Sequence, residues 1–129
     1  MLSYEKLLVY QSSMRFLRFS RNLIANLPRG SAPISDQLRR ASISIPLNIA
    51  EACGKTKTPD KRKYFAHARG SAMECAAILD VCYEYKFLSH TDYKQNKELL
   101  RSIIAMLSKL SRHANFMREQ EQDQDQKQG

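Results

Sequence analysis

The chain has 129 residues, of which 43% are apolar and 26% are charged, and its formal net charge is +8. These proportions are typical of one globular domain and exclude a wholly disordered chain. No apolar run approaches the roughly 20 residues that cross a membrane, and the N-terminal stretch has no basic region followed by an apolar core, so we expect a cytoplasmic protein without a membrane partner.

The first predicted helix covers residues 3–27. Its apolar residues form a stripe at helical spacing, which predicts the face that packs against the rest of the domain: Leu7, Tyr10, Met14, Leu17, Ile24 and Leu27. Arg15, Arg18 and Arg21 recur every three residues and indicate a basic edge. Pro28 and Gly30 then oppose continuation of the helix.

The second predicted helix, residues 33–53, is the stretch around which the chain is organised. Its apolar residues share one face: Leu38, Ala41, Ile45, Ile49 and Ala52. Pro46 has no N–H and its ring crowds the carbonyl of Ser42, so we expect the helix to bend there. Gly54 can adopt the left-handed conformation that ends a helix.

The third predicted helix, residues 59–87, has the most regular pattern. Thr58 is the expected N-cap, followed by Pro59 and Asp60 in the first turn. The apolar residues alternate at spacings of three and four, as in the seam of a helical bundle: Phe65, Ala68, Ala72, Cys75, Leu79 and Cys82.

The fourth predicted helix, residues 90–117, repeats this seam. Ser89 and Asp92 stand in the relation of a capping box at its start. Its apolar residues again alternate at three and four: Leu100, Ile103, Leu107, Leu110, Ala114 and Met117. Residues 118–129 contain no apolar residue, so we expect a polar disordered tail after a domain of residues 1–117.

Four helices with short connections predict an all-α fold. We expect an antiparallel up-down-up-down four-helix bundle with a proline-bent second helix. The first, third and fourth helices carry more apolar surface than one central seam requires. An exposed apolar surface of this kind favours self-association, so we also predict a homo-oligomer.

The residue types that support catalysis or cofactor binding do not occur at the required spacing. The glycines are too far apart for a phosphate-binding loop, and no nucleophile or zinc motif is present. Cys75 and Cys82 share a helix face and are predicted to be buried thiols. The histidines lie in three different local contexts without ligand spacing. We therefore predict no metal, no cofactor and no enzymatic activity.

One polar cluster allows two interpretations. Asn48 and Glu51 are adjacent on the second helix, and Glu51 could pair with Arg69 on the third, near Glu74. We favour a structural network that fixes the register of the two helices. The alternative is an acid–base or ligand site, for which no nucleophile or metal ligand is at hand.

Positive charge is concentrated in the first half of the chain. Residues 31–70 carry eight Lys or Arg and three acids, whereas residues 71–100 carry three and five. Cations in this region could contact the phosphates of RNA or DNA, or they could form a solvated surface. The candidate nucleic-acid-binding residues are Arg39, Arg40, Lys55, Lys57, Lys61, Arg62 and Lys63, with Arg69 nearby.

The second and third helices also carry a composite motif. Its positions are Gln37 to Ala41, Ser44, Ile45, Asn48 to Glu51, Gly54, Phe65, Ala68, Gly70, Ser71 and Glu74. With this motif the sequence resembles the four-helix-bundle proteins encoded in 23S ribosomal RNA intervening sequences. The resemblance covers most of the chain.

This resemblance implies an antiparallel four-helix bundle that assembles as a ring-shaped homopentamer. The fold is also similar to that of the accessory variability proteins of diversity-generating retroelements, which are basic pentamers linked to a reverse transcriptase and nucleic acid. The resemblance implies no established activity. We therefore expect a non-enzymatic oligomer that binds structured RNA or a nucleic-acid-processing protein. The alternative is a protein-interaction scaffold without a nucleic-acid ligand.

Overall fold

The computed structural model describes the backbone of residues 2–128 and the side chains of residues 2–113. A 3-10 turn, Ser3–Lys6, precedes four α-helices. These are α1 (Leu8–Ala25), α2 (Ala32–Gly54), α3 (Thr58–Glu84) and α4 (His90–Gln128). The part of the chain that the structure describes contains no strand, so the predicted all-α class with four helices is confirmed.

The starts of the helices differ slightly from the predictions. Thr58 is the first residue of α3 rather than its cap, and Lys57 occupies the cap position without a capping side chain. At the start of α4 the hydroxyl of Ser89 accepts a hydrogen bond from the backbone N–H of Asp92 at 3.1 Å, which is one of the two bonds of the predicted capping box. The first helix begins only at Leu8, because residues 3–6 form the separate 3-10 turn.

The end of α3 comes three residues before the predicted one, because Lys86 adopts the left-handed conformation with φ of 62°. The backbone N–H of Phe87 donates to the carbonyl of Cys82 at 2.9 Å, and the backbone N–H of Lys86 donates to the carbonyl of Tyr83 at 3.0 Å. This pair of bonds is the Schellman motif, which satisfies carbonyls at a helix end. Glycine usually occupies this position, since a side chain there costs about 1 kcal/mol.

The helices pack as neighbours in chain order. α2 packs extensively against α3, and α3 against α4, while α1 packs against α2 and, to a smaller extent, against α4. Across α2 and α3, Arg40 pairs with Glu74 at 2.9 Å, and the hydroxyls of Ser44 and Ser71 are 2.8 Å apart. The same Asp80 carboxylate oxygen on α3 accepts hydrogen bonds from Tyr93 and Lys97 on α4, each at 2.7 Å.

The predicted seams of α2, α3 and the first part of α4 form the core. Every apolar residue singled out on α2 is buried, from Leu38 to Ala52. The α3 seam is buried along its whole length, from Phe65 to Cys82. On α4, Leu100, Ile103 and Leu107 are fully buried, whereas the side chains of Ala114 and Met117 lie outside the described residues. These seams are confirmed as far as the described side chains extend, except that Leu110 is half-buried and packs against the edge of the core.

The buried face of α1 differs from the predicted stripe, whose members are all half-buried. The core face consists of Val9, Ser12, Ser13, Phe16, Ser20 and Leu23. Two of its serines satisfy their own hydroxyls within the helix: Ser13 donates to the carbonyl of Tyr10 at 2.7 Å and Ser20 to that of Leu17 at 2.9 Å. Because each hydroxyl bonds to a carbonyl of its own helix, the serine can face the core without a hydrogen-bond partner from another helix.

The C-terminal residues complete α4. Its backbone is helical through Gln128, beyond the predicted end at residue 117. The division into a domain of residues 1–117 and a disordered tail of residues 118–129 stays a prediction, since the side chains from residue 114 onwards are outside the described part. None of the helices, over the residues described, combines the length and apolar character needed to span a membrane.

Candidate nucleic-acid interface

The densest cluster of cations lies where α2 passes into α3. We call residues 55–63 the basic segment; it contains five Lys or Arg residues and one acid, Asp60. Gly54 ends α2, and Pro59 lies in the first turn of α3, so a short connection presents these residues together at one end of the helix pair. Lys57, Arg62 and Lys63 are exposed, while Lys55 and Lys61 are half-buried.

The two half-buried lysines have partners within the protein. The ammonium group of Lys55 pairs with the carboxylate of Glu51 at 3.0 Å, and this hydrogen bond raises the pKa of Lys55. Lys61 Nζ lies 3.4 Å from the carbonyl of Ala52, near the end of α2, where unpaired carbonyls favour a cation. Among the described residues no acid pairs with Lys57, Arg62 or Lys63, so these three are available to an external anion.

Tyr64 adds an aromatic ring to the basic segment. The ammonium groups of Lys55 and Lys63 lie 5.2 Å and 5.4 Å from the centroid of its ring, within the range of cation–π attraction. The His67 ring meets it edge-on, with centroids 5.8 Å apart. In the sequence Tyr64 directly follows Lys63 and interleaves the basic run, whereas Lys55 is brought to the ring only by the fold.

Arg39 and Arg40 do not join this cluster. Gly54 comes fourteen positions after Arg40 on α2, which is about 21 Å along the helix axis. Both arginines are already paired, since Arg39 lies 3.4 Å from Asp36 and Arg40 lies 2.9 Å from Glu74. The seven candidates predicted from sequence therefore fall into two separate groups, and the basic segment is the group with unpaired cations.

The residues of the predicted polar network contact other residues instead of one another. Glu51 pairs with Lys55, four residues further along the chain, and Arg69 is exposed. The Glu51–Lys55 pair therefore replaces the expected Glu51–Arg69 pair. The amide of Asn48 donates to the carbonyl of Ser44 at 2.8 Å and to its hydroxyl at 2.9 Å. Ser44 in turn accepts a hydrogen bond from Ser71, so Asn48 reaches α3 through a serine pair.

This arrangement links α2 to α3 through two separate sets of side chains. Glu74, the fourth member of the predicted network, pairs with Arg40 instead. The bonds around Asn48 and around Glu74 each connect the two helices in one register. The structural role of the four residues stays a prediction, and none of their contacts brings a nucleophile to them.

A largely apolar groove lies between α1 and α2, beside Arg39. It has a volume of about 480 Å³ and is lined by Leu17, Ile24 and Ile43, with Arg21 and Arg39 at its edge. A second depression continues it along α2 to Leu47, whose side chain is 63% exposed. An apolar surface of this kind favours contact with another protein chain.

The three thiols differ in burial. Cys75 and Cys82 are buried and Cys53 is half-buried, and none is in a disulfide. Burial raises the pKa of Cys75 to about 12, so its thiol stays protonated at neutral pH. Within the described side chains, no group of three or more His, Cys, Asp or Glu residues is placed to hold a metal ion.

The chain matches a known protein family. Residues 5–109 match the family described as 23S rRNA-intervening sequence protein. The match includes α1, α2, α3, most of the described part of α4 and the whole basic segment. A search of curated proteins finds no similar sequence.

Proposed function

The chain belongs to the 23S rRNA-intervening sequence protein family, and on this premise we propose that it is a non-enzymatic protein that binds structured RNA through the basic segment. The observation that carries the proposal is the group of exposed, unpaired cations at Lys57, Arg62 and Lys63. Phosphate contact needs cations spaced along a backbone and requires no catalytic residue. Arg39 and Arg40 have acidic partners and contribute less.

A salt series tests this proposal. Nuclease-treated protein is titrated with a structured RNA and, separately, with duplex DNA at several salt concentrations. If the three unpaired cations of the basic segment contact phosphates, the slope of log affinity against log salt is about −2 to −3. A preference for RNA that persists at physiological salt supports a role with structured RNA. Absence of binding to either nucleic acid at low salt contradicts the proposal.

We further propose that the four helices form an antiparallel up-down-up-down bundle, bent at Pro46, that assembles as a homopentamer. The order of the contacts supports the first part: along α2 from Arg40 to Ser44 to Ala52, the partners on α3 run backwards from Glu74 to Ser71 to Lys61. Pro46 lies buried inside α2, where it cannot donate the usual hydrogen bond. The homopentamer is the assembly that the family resemblance implies.

Light scattering tests the assembly. We expect a mass five times that of the protomer at micromolar concentration, because exposed apolar side chains such as Leu47 and Met73 would be covered by neighbouring subunits. A ring would also repeat the basic segment around its axis and so raise the affinity for a long RNA. A stable monomer at that concentration contradicts the oligomer.

The groove between α1 and α2 supports a second candidate function, a protein-interaction scaffold. Its apolar floor around Ile43 could hold a helix of a partner, such as a nucleic-acid-processing protein, and the basic surface would then serve solubility. The salt series separates the two functions, since a scaffold of this kind binds neither RNA nor DNA.

A further inference from the structure

Tyr64 is placed differently from Tyr83, Tyr85 and Tyr93, each of which stacks on another aromatic ring, although Lys97 also lies 5.7 Å from the centroid of the Tyr93 ring. Tyr83 stacks on Tyr93 with centroids 4.3 Å apart, and Tyr85 stacks on Phe87 at 5.5 Å, so these rings cover one another. The neighbours over the Tyr64 ring are instead the two ammonium groups of Lys55 and Lys63. A flexible lysine side chain can move away from the face of a ring. A stacked aromatic ring can move away only by losing its stacking interaction.

The ring is also held in place. Tyr64 is half-buried and packs against the hydrophobic core, and its ring forms a T-shaped pair with that of His67, with centroids 5.8 Å apart. Lys55 is fixed by its 3.0 Å pair with Glu51, whereas Lys63 is exposed and has no acidic partner among the described residues. The Lys63 side chain can therefore leave the ring at little cost, and its ammonium group is then free to contact a phosphate.

We propose that Tyr64 is a stacking platform for an unpaired base, with Lys63 and Lys55 contacting the flanking phosphates. This inference rests on the function proposed above and specifies its ligand as RNA that contains unpaired nucleotides. Aromatic rings within a basic surface bind single-stranded nucleic acid by stacking on its bases, largely without regard to sequence. In a continuous duplex the base faces are occupied by neighbouring base pairs, so only a loop, a bulge or an end can use the ring.

The test compares two RNAs with the same number of phosphates, a hairpin with an unpaired loop and a blunt, fully paired duplex. Tyr64→Leu should weaken binding to the hairpin by about 5-fold to 150-fold, the range that corresponds to loss of one stacked base. Binding to the duplex should change by less than about 2-fold, since phosphate contacts remain. Tyr64→Phe keeps the ring and should retain the hairpin affinity.

Tyr85→Leu is the matched control, because Tyr85 is an exposed tyrosine just after α3, far from the basic segment. It should leave the affinity for both RNAs unchanged. A second measurement needs no variant: a 2-aminopurine base in the loop should be quenched by the unaltered protein, and the same base in the paired stem should not. This readout remains informative if Tyr64→Leu fails to fold.

The outcomes separate this inference from the proposed function. Weakening confined to the hairpin, together with quenching in the loop, supports stacking by Tyr64. Equal effects of Tyr64→Leu on both RNAs, or no effect and no quenching, overturn the stacking platform while the salt-dependent binding stands. If the unaltered protein binds neither RNA at low salt, the proposed function fails and the inference fails with it.

Discussion

Replacement of Lys57, Arg62 and Lys63 by Glu should lower the affinity for structured RNA by about 10²-fold to 10³-fold at 0.1 M salt. Each lost phosphate contact removes roughly 0.7–0.9 from the salt slope, so the variant should also show a slope shallower by about 2 to 3. These three residues are exposed and have no acidic partner in the described part of the chain. Lys61 is left unchanged because it contacts the carbonyl of Ala52 at the end of α2.

A matched variant separates a local interface from the overall charge. Arg15, Arg18 and Arg21 are equally exposed and lie on α1, outside the basic segment. Their replacement by Glu changes the net charge by the same amount. If both triple variants lose affinity equally, RNA binding depends on the total charge and the basic segment is not the interface. Fluorescence anisotropy with a labelled RNA measures both the affinity and the slope.

Leu79→Ala should reduce the free energy of unfolding by about 3–5 kcal/mol, the largest effect we expect on stability. Leu79 is fully buried in the α3 seam, where the lost side chain leaves a cavity that helices on either side cannot easily fill. The total stability of a domain is about 5–15 kcal/mol, so the variant loses a large share of it. Denaturant unfolding followed by circular dichroism gives the difference directly.

The control for this prediction is Leu47→Ala, the same substitution at a side chain that is 63% exposed. An exposed leucine contributes little to folding, so we expect a change within about 0.5 kcal/mol in the isolated protomer. A loss below about 1 kcal/mol at Leu79 would contradict the tight packing of the seam. A large loss at Leu47 would indicate that another subunit covers it.

The fold could be predicted where burial follows apolar residue type. On α3 every apolar residue of the seam from Phe65 to Cys82 is buried, because large and small apolar residues alone form that face. On α1 the same reasoning selected a half-buried stripe. The core face there includes Ser13 and Ser20, whose hydroxyls bond to carbonyls of their own helix and so tolerate burial. Residue polarity alone does not reveal such internal bonds.

The candidate interface could be predicted only where it is continuous in sequence. Lys61, Arg62 and Lys63 are adjacent and remain together in the structure. The sequence analysis also grouped Arg40 with these cations. In the structure Arg40 lies far from them along α2 and is paired with Glu74, and the charge pattern shows neither fact. The same holds for Lys55 at the Tyr64 ring, since a contact across a helix connection follows from the path of the backbone.

Because the three thiols are buried to different extents, a thiol reagent should react selectively with one cysteine of the unaltered protein. Cys75 and Cys82 are inaccessible, while Cys53 is half-buried at the end of α2. Partial burial raises the pKa of Cys53, and the nearby Lys61 opposes this only in part, so Cys53 reacts more slowly than a fully exposed thiol but is the accessible one of the three. A maleimide dye should therefore attach at one residue beside the basic segment. Its emission could report on occupancy of that segment in real time, in a chain that needs no introduced cysteine.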